Sequence, residues 1–116
     1  MRPLLEDLKV YQRALLFAEE VMSLMQSPKA GNGTIADQLR RAAISIPTNI
    51  AEGSGRWHAD DRKQFFWVAR GSTNECMPLI RLGARLGMIS GSDYARLQSD
   101  LILISKMLTR LISTQK

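Results

Sequence analysis

Apolar side chains recur at spacings of three and four along four separate stretches of this chain, and no stretch carries a strand signal. That rhythm restricts the fold to helices packed on helices. In the first stretch Leu8, Tyr11, Leu15, Ala18, Met22 and Met25 make one continuous stripe at 3.6 residues per turn. Val10, Ala14, Phe17, Val21 and Leu24 make a second stripe, displaced by about 110° at 100° per residue. The apolar arc therefore spans about 200°, well beyond the roughly 100° that a helix needs to face one core. The excess predicts a second buried surface. With the first stripe assigned to the core, Val10, Phe17, Val21 and Leu24 become the candidates for contact between subunits.

Ser27 to Gly33 (SPKAGNG) reads as a loop, and Thr34 with Asp37 forms a capping-box pattern at the start of a second helix. Its GNG lacks the preceding strand and the lysine-serine ending of a phosphate loop. Leu39, Ala43, Ile46 and Ile50 make the apolar stripe of this helix, which Pro47 is expected to kink without ending, because the stripe keeps its phase. Gly53, Ser54 and Gly55 close it. A third helix is expected from about Ala59, with Asp60 and Asp61 on its positive N-terminal dipole. Phe65, Ala69, Ser72, Cys76, Leu79, Gly83 and Leu86 form its packing stripe of mostly small residues, and Pro78 predicts a second kink near Asn74. Gly87 is a natural C-cap, Ser90 with Asp93 repeats the capping-box pattern, and Tyr94, Leu97, Leu101, Ile104, Leu108 and Leu111 carry the fourth helix. Short connections between long helices predict one all-α domain over residues 1–116, an antiparallel up-down-up-down four-helix bundle.

Composition narrows the function classes. At 116 residues and 45% hydrophobic content the chain buries one core. It lacks both a membrane-length apolar run and the order of a signal peptide, so a cytoplasmic protein without membrane contact is expected. The single cysteine, Cys76, excludes an internal disulfide and a zinc site built on cysteine pairs. It sits on the packing stripe of helix three and reads as a buried, inert thiol. His58 has no nucleophile or carboxylate pair patterned around it, and the adjacent pairs Glu19/Glu20 and Asp60/Asp61 diverge by about 100° on a helix. No catalytic centre, metal or cofactor is expected, and the chain does not read as an enzyme.

Two polar features remain. Along helix two, Arg41, Ser45, Thr48 or Asn49, Glu52 and Arg56 line one side. They serve either as a ligand site or, the stronger reading, as structure: hydroxyls on carbonyls near Pro47, with Arg41 and Glu52 as structural polar groups and Glu52 pairing with Arg56 or with an arginine of helix three such as Arg70. Along helix three, Lys63, Trp67, Arg70, Asn74, Arg81 and Arg85 fall within an arc of about 60° opposite the packing stripe, with no acid among them. Such a row, with Arg56 and Arg62 near its start, suits the phosphates of RNA or DNA with occasional base stacking and little sequence preference. The blander and stronger reading is a solvated bundle face, or one in which Trp67 is buried between subunits.

Three segments, DLKVYQRA at 7–14, QLRRAAISIPTNIAEGSGR at 38–56 and ARGSTNE at 69–75, run in the order of a bacterial family of four-helix-bundle proteins. The chain resembles that family, which includes proteins encoded in intervening sequences of 23S ribosomal RNA, over nearly its whole length. The resemblance implies a homo-oligomer, a ring of five bundles. Relatives that act as accessory proteins of diversity-generating retroelements imply, as partners, nucleic acid and a reverse transcriptase on a basic ring surface. The chain departs from the family pattern at His58, where serine is usual, at Arg62, where phenylalanine is common, and at Cys76 to Pro78. The reading is a non-catalytic bundle that binds nucleic acid or a nucleic-acid enzyme; the competing one is an interaction ring with no nucleic-acid role.

Overall fold

The computed structural model describes residues 4–27 and 33–116; most of the expected SPKAGNG loop falls outside the described residues. A short 3-10 turn, Leu5–Asp7, leads into α1 (Lys9–Met25), followed by α2 (Thr34–Ser54), α3 (Ala59–Arg85) and α4 (Gly91–Ser113). The helices run antiparallel, up-down-up-down, each packed against the next, and α4 closes back on α1 in a bundle 46 × 21 × 21 Å in extent. The four-helix architecture is as the periodicity requires.

The core takes most of the second α1 stripe, the one expected at a subunit contact, together with only Ala18 and Met25 of the first. Val10 is 4% exposed, Phe17 1% and Val21 0%, and all three lie in the bundle core, with Leu24 packed against its edge. Buried inside the single bundle, Val10, Phe17 and Val21 offer no surface for a subunit contact, whereas Leu24 is half-buried. Tyr11, Leu15 and Met22 are the half-buried residues instead, lining a groove of about 530 Å³ with Ile44, Pro47 and Ala51 of α2. Periodicity measures the width of an apolar arc but not which half faces inward. Both halves are apolar, and the half that points at α2, α3 and α4 together is set by how α1 docks.

Local chemistry explains the helix ends. Gly33, and not Thr34, is the N-cap of α2; with no side chain it makes no cap bond, and Asp37 pairs with Arg40 at 2.7 Å. The capping box expected there is absent because Thr34 is already inside the helix. His58 caps α3 without a side-chain bond. At the other end Gly87 adopts φ +77°, and the Met88 amide donates to the Gly83 carbonyl at 2.8 Å, the left-handed closure that favours glycine. The Ser90 hydroxyl accepts from the Asp93 amide at 3.1 Å and starts α4.

Both prolines sit inside unbroken helices, so neither Pro47 nor Pro78 divides its segment. Around Pro47 the Thr48 hydroxyl donates to the Ile44 carbonyl at 3.0 Å and the Asn49 amide to that of Ser45 at 2.8 Å. The most extensively packed helix pair, α2 with α3, is joined by small groups. A Cβ on Gly53 would lie 2.7 Å from the Phe66 ring, and the Ser45 and Ser72 hydroxyls bond across the seam at 2.7 Å. On α3 the buried stripe runs through Phe66, Ala69, Ser72, Cys76, Leu79 and Gly83. Phe65 is only half-buried and Leu86 is exposed.

Candidate nucleic-acid interface

The α3 row comes together beside α4. Lys63 and Arg70 are half-buried, Trp67 is 52% exposed, and Asn74, Arg81 and Arg85 are exposed. Two contacts brace the row against α4: Arg70 Nε donates to the Thr109 hydroxyl at 2.8 Å, and Arg81 Nη1 to the Tyr94 hydroxyl at 3.1 Å. The Arg70 guanidinium also lies 5.5 Å from the centre of the Trp67 ring. Each bond uses one of the five N–H donors of an arginine, which leaves most of the fork for an oxyanion.

The neighbouring strip of α4 is polar and uncharged. Tyr94, Gln98, Ser105 and Thr109 fall within an arc of about 60° at 100° per residue, and Gln98 Nε2 donates to the Tyr94 hydroxyl at 3.2 Å. The acids of α4 turn the other way. Arg96 bonds Glu20 of α1 and Asp93, while burial, with the nearby Glu20 charge, pushes the Asp100 carboxyl up from its ordinary value. Four ion pairs form among the described residues, and none involves Lys63, Arg70, Arg81 or Arg85. The guanidinium and ammonium groups of the row therefore have no carboxylate in direct contact among the described residues.

Two cations assigned to this surface lie elsewhere. Arg62 is only 6% exposed. Its Nε donates to Gln115 Oε1 at 2.6 Å, Nη1 to the Trp57 carbonyl at 2.5 Å and the Arg56 carbonyl at 3.3 Å, and Nη2 to the Lys116 carbonyl at 3.1 Å. A guanidinium so enclosed ties the start of α3 to the end of α4 and cannot reach a phosphate. Arg56 bonds Glu52 at 2.9 Å and lies 4.7 Å from the centre of the Phe65 ring, which neutralises much of its charge locally.

The same pair corrects the reading of Glu52 as a partner of Arg70. Glu52 is more than half exposed, and Arg70 points to α4. Arg41 is exposed as well. The α2 polar stripe thus divides into Ser45 and Asn49 at the α3 seam and an outward remainder. Cys76 is buried, and burial, followed by the nearby Glu75 charge, pushes its thiol up to about 12. No group of His, Cys, Asp and Glu fit to hold a metal ion occurs among the described residues. No helix among them is long and apolar enough to cross a membrane.

Two features escaped the sequence reading. Trp57, in the turn before α3, is 82% exposed, and the α4 strip supplies the row's only bracing hydroxyls among the described residues. The strip was discoverable, since its members recur at i, i+4, i+11 and i+15.

Comparison with known proteins adds the family. Residues 6–110 match the model of the 23S rRNA-intervening sequence protein. A crystal structure of a protein of unknown function from the S23 ribosomal protein family of Bacteroides thetaiotaomicron is similar, with 25% identity, a TM-score of 0.82, and coverage of 90% of this chain and 99% of that one. Among curated proteins there is no significant match. The match over residues 6–110 spans all but the ends of the bundle, and the chain belongs to the 23S rRNA-intervening sequence protein family.

Proposed function

We propose that this protein is a non-catalytic, oligomeric bundle that binds RNA or DNA with little sequence preference through the α3 row. The single observation that carries the reading is the row itself: Lys63, Arg70, Arg81 and Arg85 lie on one side, free of ion pairs, with the half-exposed Trp67 among them. Cations of this kind neutralise phosphates and release counterions, and the ring offers a stacking face that any base can use. The test is fluorescence anisotropy with mixed-sequence oligonucleotides of about 20 nucleotides. Binding at low salt, with affinities alike among unrelated sequences, is expected. No binding even at low salt removes the proposal.

Assembly belongs to the same proposal, moved to the apolar face left uncovered: the half-buried Leu15 and Met22 and the exposed Ile44 along the α1–α2 groove. Light scattering at micromolar concentration should give several times the 13.0 kDa subunit mass, and Met22→Glu should reduce it while leaving the helical content intact. A monomeric wild type contradicts this part. That apolar face also favours a second reading, an interaction ring that engages a protein such as a reverse transcriptase and not nucleic acid. Oligomers that bind no oligonucleotide support it.

A further inference from the structure

The seam where α4 closes on α1 has a different chemistry from the α3 row. These two helices meet least closely of the neighbouring pairs, and they leave a groove of about 490 Å³ lined from residues 8–10 and 103–114. Its floor is apolar, with Leu103 exposed and Leu8, Met107 and Leu111 half-buried. Its rim is cationic: Lys9, Lys106 and Arg110 line it, and no acidic residue does. None of these cations forms an ion pair among the described residues, and Glu6 and Asp7, just before α1, do not pair with Lys9. Lys106 and Arg110 are moreover like charges at i and i+4, an arrangement that disfavours a helix unless an anion lies between them. An apolar floor inside an uncompensated cationic rim is complementary to one kind of surface.

We infer that this groove binds an acidic amphipathic helix of another protein. Leucine-like side chains at i, i+3 or i+4, and i+7 of that helix fill the floor, and its flanking carboxylates reach Lys9, Lys106 and Arg110. Nucleic acid is the poorer fit, because the groove has no aromatic ring on which a base could stack and would set phosphates against Leu103 and Met107. A second copy is also the poorer fit, since it brings a net charge of +5 to a positive rim.

The inference is tested on the full chain with a fluorescein-labelled synthetic helix of about 18 residues, built from leucine, alanine and glutamate with leucine on one face. Two controls accompany it: the same composition in scrambled order, and the same helix with lysine for glutamate. The acidic amphipathic helix should bind at least tenfold more tightly than either. Leu103→Ser, at an exposed position, should weaken it at least fivefold at unchanged melting temperature. Lys106→Glu with Arg110→Glu should turn the preference toward the lysine helix, whereas Arg81→Glu with Arg85→Glu on α3 should leave it unchanged. Equal binding of the scrambled peptide means attraction to net charge alone and overturns the inference. So does absence of binding, loss of binding on the α3 substitutions, or a fall in oligomer mass on Leu103→Ser, which would assign the groove to a second copy.

Discussion

A buried guanidinium is tolerated when oxygens replace its water, and Arg62 has an amide oxygen and three backbone carbonyls around it, from the α2–α3 turn and the end of the chain. Hydrogen bonds to a charged group are worth about 1.5 to 3 kcal/mol each in mutational terms, so Arg62→Ala should lower stability by at least about that much in denaturant titration. Arg62→Lys should not restore it, because an ammonium lacks the planar fork. A melting temperature unaffected by either change would mean that the clamp is not formed. Cys76 is the opposite case, a thiol pushed up to about 12 by burial. At pH 8 it should react with a thiol reagent only slowly in the native protein and rapidly in denaturant; fast native labelling would contradict its burial. Local pairing was legible at this scale and distant pairing was not. Glu52 and Arg56 are four apart on one helix face, so their bond follows from spacing. Arg62 meets oxygens 53 and 54 positions away, and charge alone placed it wrongly at the surface.

Helix ends on this chain hold because particular residues accept or release particular backbone groups. Ser90→Ala removes the acceptor for the Asp93 amide and should cost about 1 kcal/mol, and Gly87→Ala, at φ +77°, should cost a similar amount by left-handed strain. Both are measurable as shifts in the denaturant midpoint at constant slope, and a neutral result at Ser90 would mean that the cap does not form. These ends were legible because serine followed by aspartate three residues on, and glycine just past a helix, act through their immediate neighbours. The Thr34 pattern failed by one residue: with Gly33 as N-cap, Thr34 has helical geometry, and its hydroxyl is no longer placed to bond the amide three residues on. The orientation of α1 was beyond reach for a different reason. Its arc of about 200° contains two equally periodic stripes, and only the docking of three other helices decides that Phe17 lies inside and Met22 at the rim.

As a whole the molecule is a closed bundle with three outward chemistries: a basic, aromatic-bearing face at α3 beside α4, an apolar groove at α1 beside α2, and a cation-rimmed apolar groove at α4 beside α1. The bundle and the α3 row followed from periodicity and charge. The separation of the three faces did not, since it depends on which helices are neighbours. The basic face is free of acids because those of α4 turn toward α1, a consequence of packing that no single helix displays. The central claim is that this face neutralises phosphates, and the salt dependence of binding tests it most directly. If Lys63, Arg70, Arg81 and Arg85 each contact one phosphate, log affinity for a single-stranded oligonucleotide should fall with log salt at a slope of about −3 per subunit engaged. Arg81→Glu with Arg85→Glu should reduce that slope by about half and weaken binding at least tenfold, about 1.4 kcal/mol, with oligomer mass and melting temperature unchanged. A slope and affinity unaffected by the two reversals would contradict the assignment of nucleic-acid binding to α3.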